Sequence, residues 1–153
     1  MNPINPPPGP RLSAETVHAS TVAINGRAVM ITGPSGSGKS DLSLRLLDRG
    51  FVLVSDDQTI VKKDGNRLLA TAPPTIAGKL EIRGIGIVEM ERAENVPVAL
   101  VVELTSDIPR LPDDSRERPI LGVKVPLITI DAMAASAPSI IALALDRMGL
   151  KFG

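Results

Sequence analysis

Cysteine is absent from the 153 residues of this chain, and so are tryptophan and tyrosine. Without cysteine there are no disulfides, no thiolate nucleophiles and no Cys-based zinc sites. Phe51 and Phe152 are the whole complement of Phe, Tyr and Trp. The core must therefore be assembled from Val, Ile, Leu, Met and Ala. Bases would find no stacking platform, which argues against binding of single-stranded nucleic acid. Net charge is missing too, because 17 basic and 17 acidic residues cancel. No global field draws the chain to nucleic acid or to an anionic membrane. No apolar run reaches the ~18–20 residues of a membrane span. The N-terminal "MNPINPPPGPR" has no apolar signal-peptide centre. These absences predict a cytoplasmic protein that engages neither nucleic acid nor membrane.

What is present describes a globular domain, with 43% hydrophobic and 22% charged residues. Residues 1–11 read as a proline-rich extended tail, and residues 12–153 as one domain. Asn25-Gly26 lies between two β-prone runs and predicts a hairpin. Its first strand should carry His18, Ser20, Val22 and Ile24 on one face. Its second, Arg27 to Thr32, is nearly all apolar and should be central. A helix should follow to Gly50, with Leu42, Leu46 and Leu47 as its apolar stripe. "FVLVSDD" is the next strand, and "TIVKKDGNRLLATA" a hairpin turning at Asp64-Gly65. "VPVALVVEL" and "LGVKVPLITI" are further strands, with residues 105–119 read as a loop. A last helix should run from about Pro138 to Met148 and stop at Gly149. The expected class is α/β, a mixed sheet rich in hairpins with few helices.

The segment Gly33-Pro34-Ser35-Gly36-Ser37-Gly38-Lys39-Ser40 matches G-x-x-x-x-G-K-[ST] in full, with a strand before it and a helix after it. Glycines let backbone N–H groups converge on phosphate oxygens, and the helix N-terminus adds its dipole. Lys39 can reach the β and γ oxygens, and the Ser40 hydroxyl can ligate Mg²⁺. ATP and Mg²⁺ are the implied ligands. The reaction is not.

Other residues could complete a site. Asp56 and Asp57 end a buried strand, where one could hold Mg²⁺ and one could take a proton. Adjacent strand residues point to opposite faces, so the two should not share a role. The same pair could instead simply cap a turn. His18, the only histidine, sits in the run before the loop strand and could be structural or functional. Glu81 and Arg83 stand two apart, as a metal and phosphate pair or as an exposed ion pair. Arg110 alone reads as a solvated charge.

Taken together, these segments resemble the C-terminal catalytic domain of HPr kinase/phosphorylase. The pieces are "VHASTVAINGRAVMITGPSGSGKS", "RGFVLVSDD", "APP" before "LEIRGIGIVE", "PRLP" and "ILGVKVPLITI". They span about residues 17–130 in family order. The resemblance implies a P-loop kinase domain that phosphorylates a serine of the phosphocarrier protein HPr. It assigns Asp57 as base, and as acid in the reverse reaction with inorganic phosphate. It makes His18 the histidine near that base, and Asp56 its acidic neighbour. It makes Lys39 and Ser40 the phosphate and Mg²⁺ residues, Glu81 a metal ligand and Arg110 the catalytic arginine. It also implies a homo-oligomer, a hexamer of catalytic domains. Two departures stand out. Only the proline tail precedes the catalytic part, as in a short proteobacterial form. And "DAMAASAPS" replaces a basic, Gly-containing loop tied to dephosphorylation. Two other readings stay open: a small-molecule P-loop kinase or ATPase, and a non-catalytic nucleotide or phosphate sensor.

Overall fold

A computed structural model describes residues 13–107 and 116–152. The expected tail, 1–11, and Arg110 lie outside the described residues.

Eleven strands and two α-helices form in the order β1 (Ala14–Val17), β2 (Ala19–Ile24), β3 (Arg27–Thr32), α1 (Lys39–Leu47), β4 (Val52–Ser55), β5 (Thr59–Asp64), β6 (Arg67–Thr71), β7 (Lys79–Ile82), β8 (Gly86–Glu89), β9 (Val96–Leu104), β10 (Glu117–Ile120), β11 (Val123–Ile130) and α2 (Ala137–Met148). The run β9-β3-β2-β4 closes one end of the sheet, with β4 at the edge and β11 parallel to the far half of β9. β3 is parallel to β9, while β2 is antiparallel to both β3 and β4. The carboxyl ends of β3, β9, β11 and β4 therefore gather along one edge. In open α/β sheets that edge is where ligands bind.

β3 explains the apolar run that predicted it. Val29 and Ile31 face a core layer containing Leu42 and Leu46 of α1 and Ile141 and Leu145 of α2. Ala28 and Met30 face the opposite layer, packed with Val61, Leu68 and Ala70 of the β5-β6 hairpin. The sheet is thus sandwiched, with helices on one face and a folded-over hairpin layer on the other. A strand buried on both faces cannot alternate.

The turns are mostly where turn chemistry put them. Asn25 (φ 53°) and Gly26 (φ 74°) both adopt the left-handed region that a tight two-residue hairpin needs. α1 ends in a Schellman arrangement. Gly50 has φ 93° and its N–H donates to the Leu47 carbonyl, while the Phe51 N–H donates to that of Leu46.

Three expectations need correction. His18 is not on a strand; it sits in the bend between β1 and β2. β1 pairs with β5 and β2 with β3, so the chain changes partner there. The β5-β6 turn falls one residue later, because Asp64 still pairs with Arg67. Residues 117–119, read as loop, form β10 together with Ile120 and pair antiparallel with β11. Their turn places Leu121 at φ 50° before Gly122, and a left-handed leucine has no local signature. α2 runs to Met148 with Gly149 as its C-cap, where the sequence placed its end, at φ −64°.

Candidate active site

The phosphate loop leaves β3 at Thr32 and enters α1 at Lys39. Its glycines are demanded by geometry. Gly38 caps the helix at φ 101°. At Gly33 a Cβ would come within 2.7 Å of Ser37 Oγ and 3.1 Å of Leu104 Cβ. Lys39 is buried, and its Nζ donates to the carbonyls of Gly33 (2.8 Å) and Pro34 (3.0 Å). Two of its three protons hold the loop's shape, and one remains for a ligand. Ser37 Oγ is the one buried side-chain polar atom among the described residues without a hydrogen-bond partner. An orphaned hydroxyl in a Gly-rich cradle at a helix N-terminus fits an oxyanion such as a nucleotide phosphate.

The two aspartates lie in a bend beyond β4, which ends at Ser55, so strand alternation does not separate them. Asp56 is buried and heavily bonded. Its Oδ1 accepts from Ser40 Oγ (2.7 Å) and Ser20 Oγ (3.1 Å), and its Oδ2 from the Glu81 N–H (3.2 Å). Oδ1 is saturated, and Oδ2 keeps one lone pair. Ser40 gives its proton to Asp56, which turns its own lone pairs outward. This donor set, a hydroxyl oxygen plus a carboxylate oxygen beside phosphates, suits Mg²⁺. Glu81 adds a second, exposed carboxylate nearby. Among the described residues, no three His, Asp or Glu side chains form a ready-made metal cluster. A metal here would need phosphate oxygens and water to complete its shell, the usual Mg²⁺ pattern.

Asp57 is different. Its side chain is 60% exposed, and its Oδ1 lies 2.8 Å from His18 Nε2. Its backbone is left-handed at φ 67°, and its N–H donates to Ser20 Oγ (3.0 Å). Strain at a carboxylate facing a cleft is a pointer to function. The bend at His18 and the turn at Asp57 bring together two residues 39 apart in sequence.

A cleft of about 660 Å³ joins these parts, lined by Lys39, Ser40, Asp57, Glu81, Arg83 and Met133 among others. Ser35, Gly36 and Gly38 border it as well. A smaller depression of about 470 Å³ lies between α1 and the start of α2, away from the loop and the aspartates.

Two residues were not anticipated. Ser20, fully buried, bridges the aspartates by bonding the Asp56 carboxylate and the Asp57 N–H. The signal was available, since a serine amid apolar strand residues needs a partner. Arg45 binds the carbonyls of Ala132 and Ala134 (the latter at 3.4 Å), while its Nε donates to Asp41 at 3.1 Å. It clamps the 131–136 loop against α1, and Ala132 Cβ would lie 3.2 Å from a Cβ at Gly38. Sequence spacing shows only the i,i+4 pair with Asp41.

Known proteins are similar to this chain in sequence and fold. The family model of the HPr serine kinase C-terminal domain matches residues 11–151. An HPr kinase/phosphorylase of Chlorobium phaeobacteroides is 39% identical over 126 residues, covering 74% of this chain and 37% of that protein. One of Alkaliphilus metalliredigens is 36% identical, covering 75% and 41%. The chain thus spans about two-fifths of the length of these curated relatives. The solved structure of the Hpr(Ser) kinase/phosphatase from Coxiella burnetii superposes with a TM-score of 0.76 at 32% identity, over 86% of this chain and 88% of that one. The chain belongs to the HPr serine kinase C-terminal domain family.

Proposed function

We propose that this chain is an ATP-dependent protein serine kinase whose acceptor is the phosphocarrier protein HPr. The observation that carries this reading is the exposed Asp57 carboxylate. It is paired with His18 and opens into the same cleft as the phosphate loop.

In this mechanism the loop 33–40 binds the ATP phosphates through its N–H groups and Lys39. Ser40, Asp56 and Glu81 would hold Mg²⁺, which would supply positive charge against the phosphates. Asp57 accepts the proton of the acceptor serine as its Oγ bonds to the γ-phosphorus and the bond to the β–γ bridging oxygen breaks. His18 orients Asp57 through the 2.8 Å contact. Arg110, outside the described residues, is assigned to the charge on the transferring group by family resemblance. Catalysis of this kind is positioning plus electrostatics. The same loop would hold inorganic phosphate for the reverse reaction, with Asp57 as acid.

Incubation with ATP, Mg²⁺ and HPr, followed by intact-mass measurement, should show one added phosphate on a serine. Asp57→Asn should lower the transfer rate by about 10²–10⁴-fold with ATP affinity unchanged. Transfer at the wild-type rate in that variant would remove Asp57 as base. Turnover with small hydroxylated metabolites but not with HPr would sink the protein-kinase reading. Family resemblance also implies a homo-hexamer, which a sedimentation mass checks directly.

A further inference from the structure

Seven large apolar side chains are exposed among the described residues, and the three most exposed are Met133 (88%), Ile85 (74%) and Ile87 (66%). Single exposed apolar residues are ordinary. These three are not scattered. Met133 lines the phosphate cleft itself. Ile87 is the cross-strand partner of Glu81, which also lines it, so both side chains stand on one face of the β7-β8 hairpin. Ile85 lies in the turn of that hairpin, two residues beyond Arg83, another lining residue.

Both supports are built to present these residues. The Met133 loop is fixed by the Arg45 clamp and by its own N–H donating to Asp131 Oδ1 at 2.9 Å. The hairpin is a separate two-stranded sheet, tied down by buried Leu80 and by the Glu81 N–H on Asp56. Asp57 lines the same cleft as Met133 and as Glu81 and Arg83 of the hairpin segment.

We propose that Met133, Ile85 and Ile87 form an apolar rim that docks the acceptor protein, and that the acceptor carries a complementary apolar patch beside its target serine. The inference rests on the protein-kinase reading and extends it to the recognition surface. The occupant follows from position. A metabolite or a water small enough to enter the cleft would leave the rim in water. A folded protein delivering a serine to Asp57 would cover it.

The test is the double variant Ile85→Ser/Ile87→Ser, assayed as the full chain with ATP, Mg²⁺ and HPr. Both positions are exposed and lie outside the phosphate cleft's lining, so folding should be preserved, and an unchanged ATP affinity verifies it. KM for HPr should rise about tenfold or more, with kcat at saturating HPr within about twofold. An unchanged KM would overturn the rim while leaving the kinase reading intact. Absence of transfer by the wild-type chain would overturn that reading and the rim with it. A changed oligomeric mass with unchanged KM would assign the rim to a second copy of this chain and also overturn the proposal.

Discussion

Asp57 concentrates the residue-scale physics. A residue with a Cβ is disfavoured in the left-handed region by roughly 1–2 kcal/mol. Aspartate tolerates it better than most. Here the conformation is held from outside by Ser20, whose hydroxyl takes the Asp57 N–H. Holding it turns the Asp56 carboxylate inward to Ser40 and the Asp57 carboxylate outward to His18. Two variants isolate the strain, since both lack the carboxylate. Asp57→Gly should be more stable than Asp57→Ala by about 1 kcal/mol, read from urea midpoints. Equal midpoints would show that the backbone there is not strained.

At the scale of the element, the end of α2 shows a glycine required for space alone. Gly149 has an ordinary φ of −64°. Yet a Cβ would lie 2.6 Å from the Leu145 carbonyl oxygen and 2.8 Å from Arg27 Nη2. That guanidinium is the cap of α2: Nη2 donates to the Leu145 carbonyl at 2.8 Å and Nε to that of Leu150 at 3.0 Å. A cation on the last carbonyls of a helix satisfies both their lone pairs and the dipole. Gly149→Ala should therefore cost about 1–3 kcal/mol in urea unfolding. If α2 absorbs the methyl group without loss, the Arg27 cap is looser than its distances imply.

Across the whole molecule, β3 joins two cores. Leu46 is fully buried on the helix side, and Leu68 is fully buried on the hairpin side. Alternate residues of β3 belong to each layer, so neither layer can melt and leave the other intact. Leu46→Ala and Leu68→Ala should each cost about 2–5 kcal/mol and shift one common transition. Two separable transitions in either variant, seen by circular dichroism across a urea series, would show that the layers fold independently. No helix among the described residues is long and apolar enough to cross a membrane.

Much of this was readable beforehand, for local reasons. Apolar content in β3, turn chemistry at Asn25-Gly26 and the cap at Gly50 depend on neighbouring residues, so β2, β3 and α1 stand where their signals put them. The phosphate loop is contiguous in sequence, and its Ser35, Gly36, Gly38, Lys39 and Ser40 border one cleft. β10 escaped notice because Pro119 and a left-handed Leu121 signal no strand, and only its pairing with β11 makes it one. The rest of the site was a list of candidates until the sheet closed. His18 meets Asp57 because β1 and β2 part company at a bend. Ser40, Ser20 and the Glu81 N–H meet at Asp56 from three different elements. Sequence alone determines which chemical groups this chain owns and which short segments prefer which backbone. Only the tertiary structure decides which groups share one cleft, because those contacts depend on long-range strand pairing that no local pattern encodes.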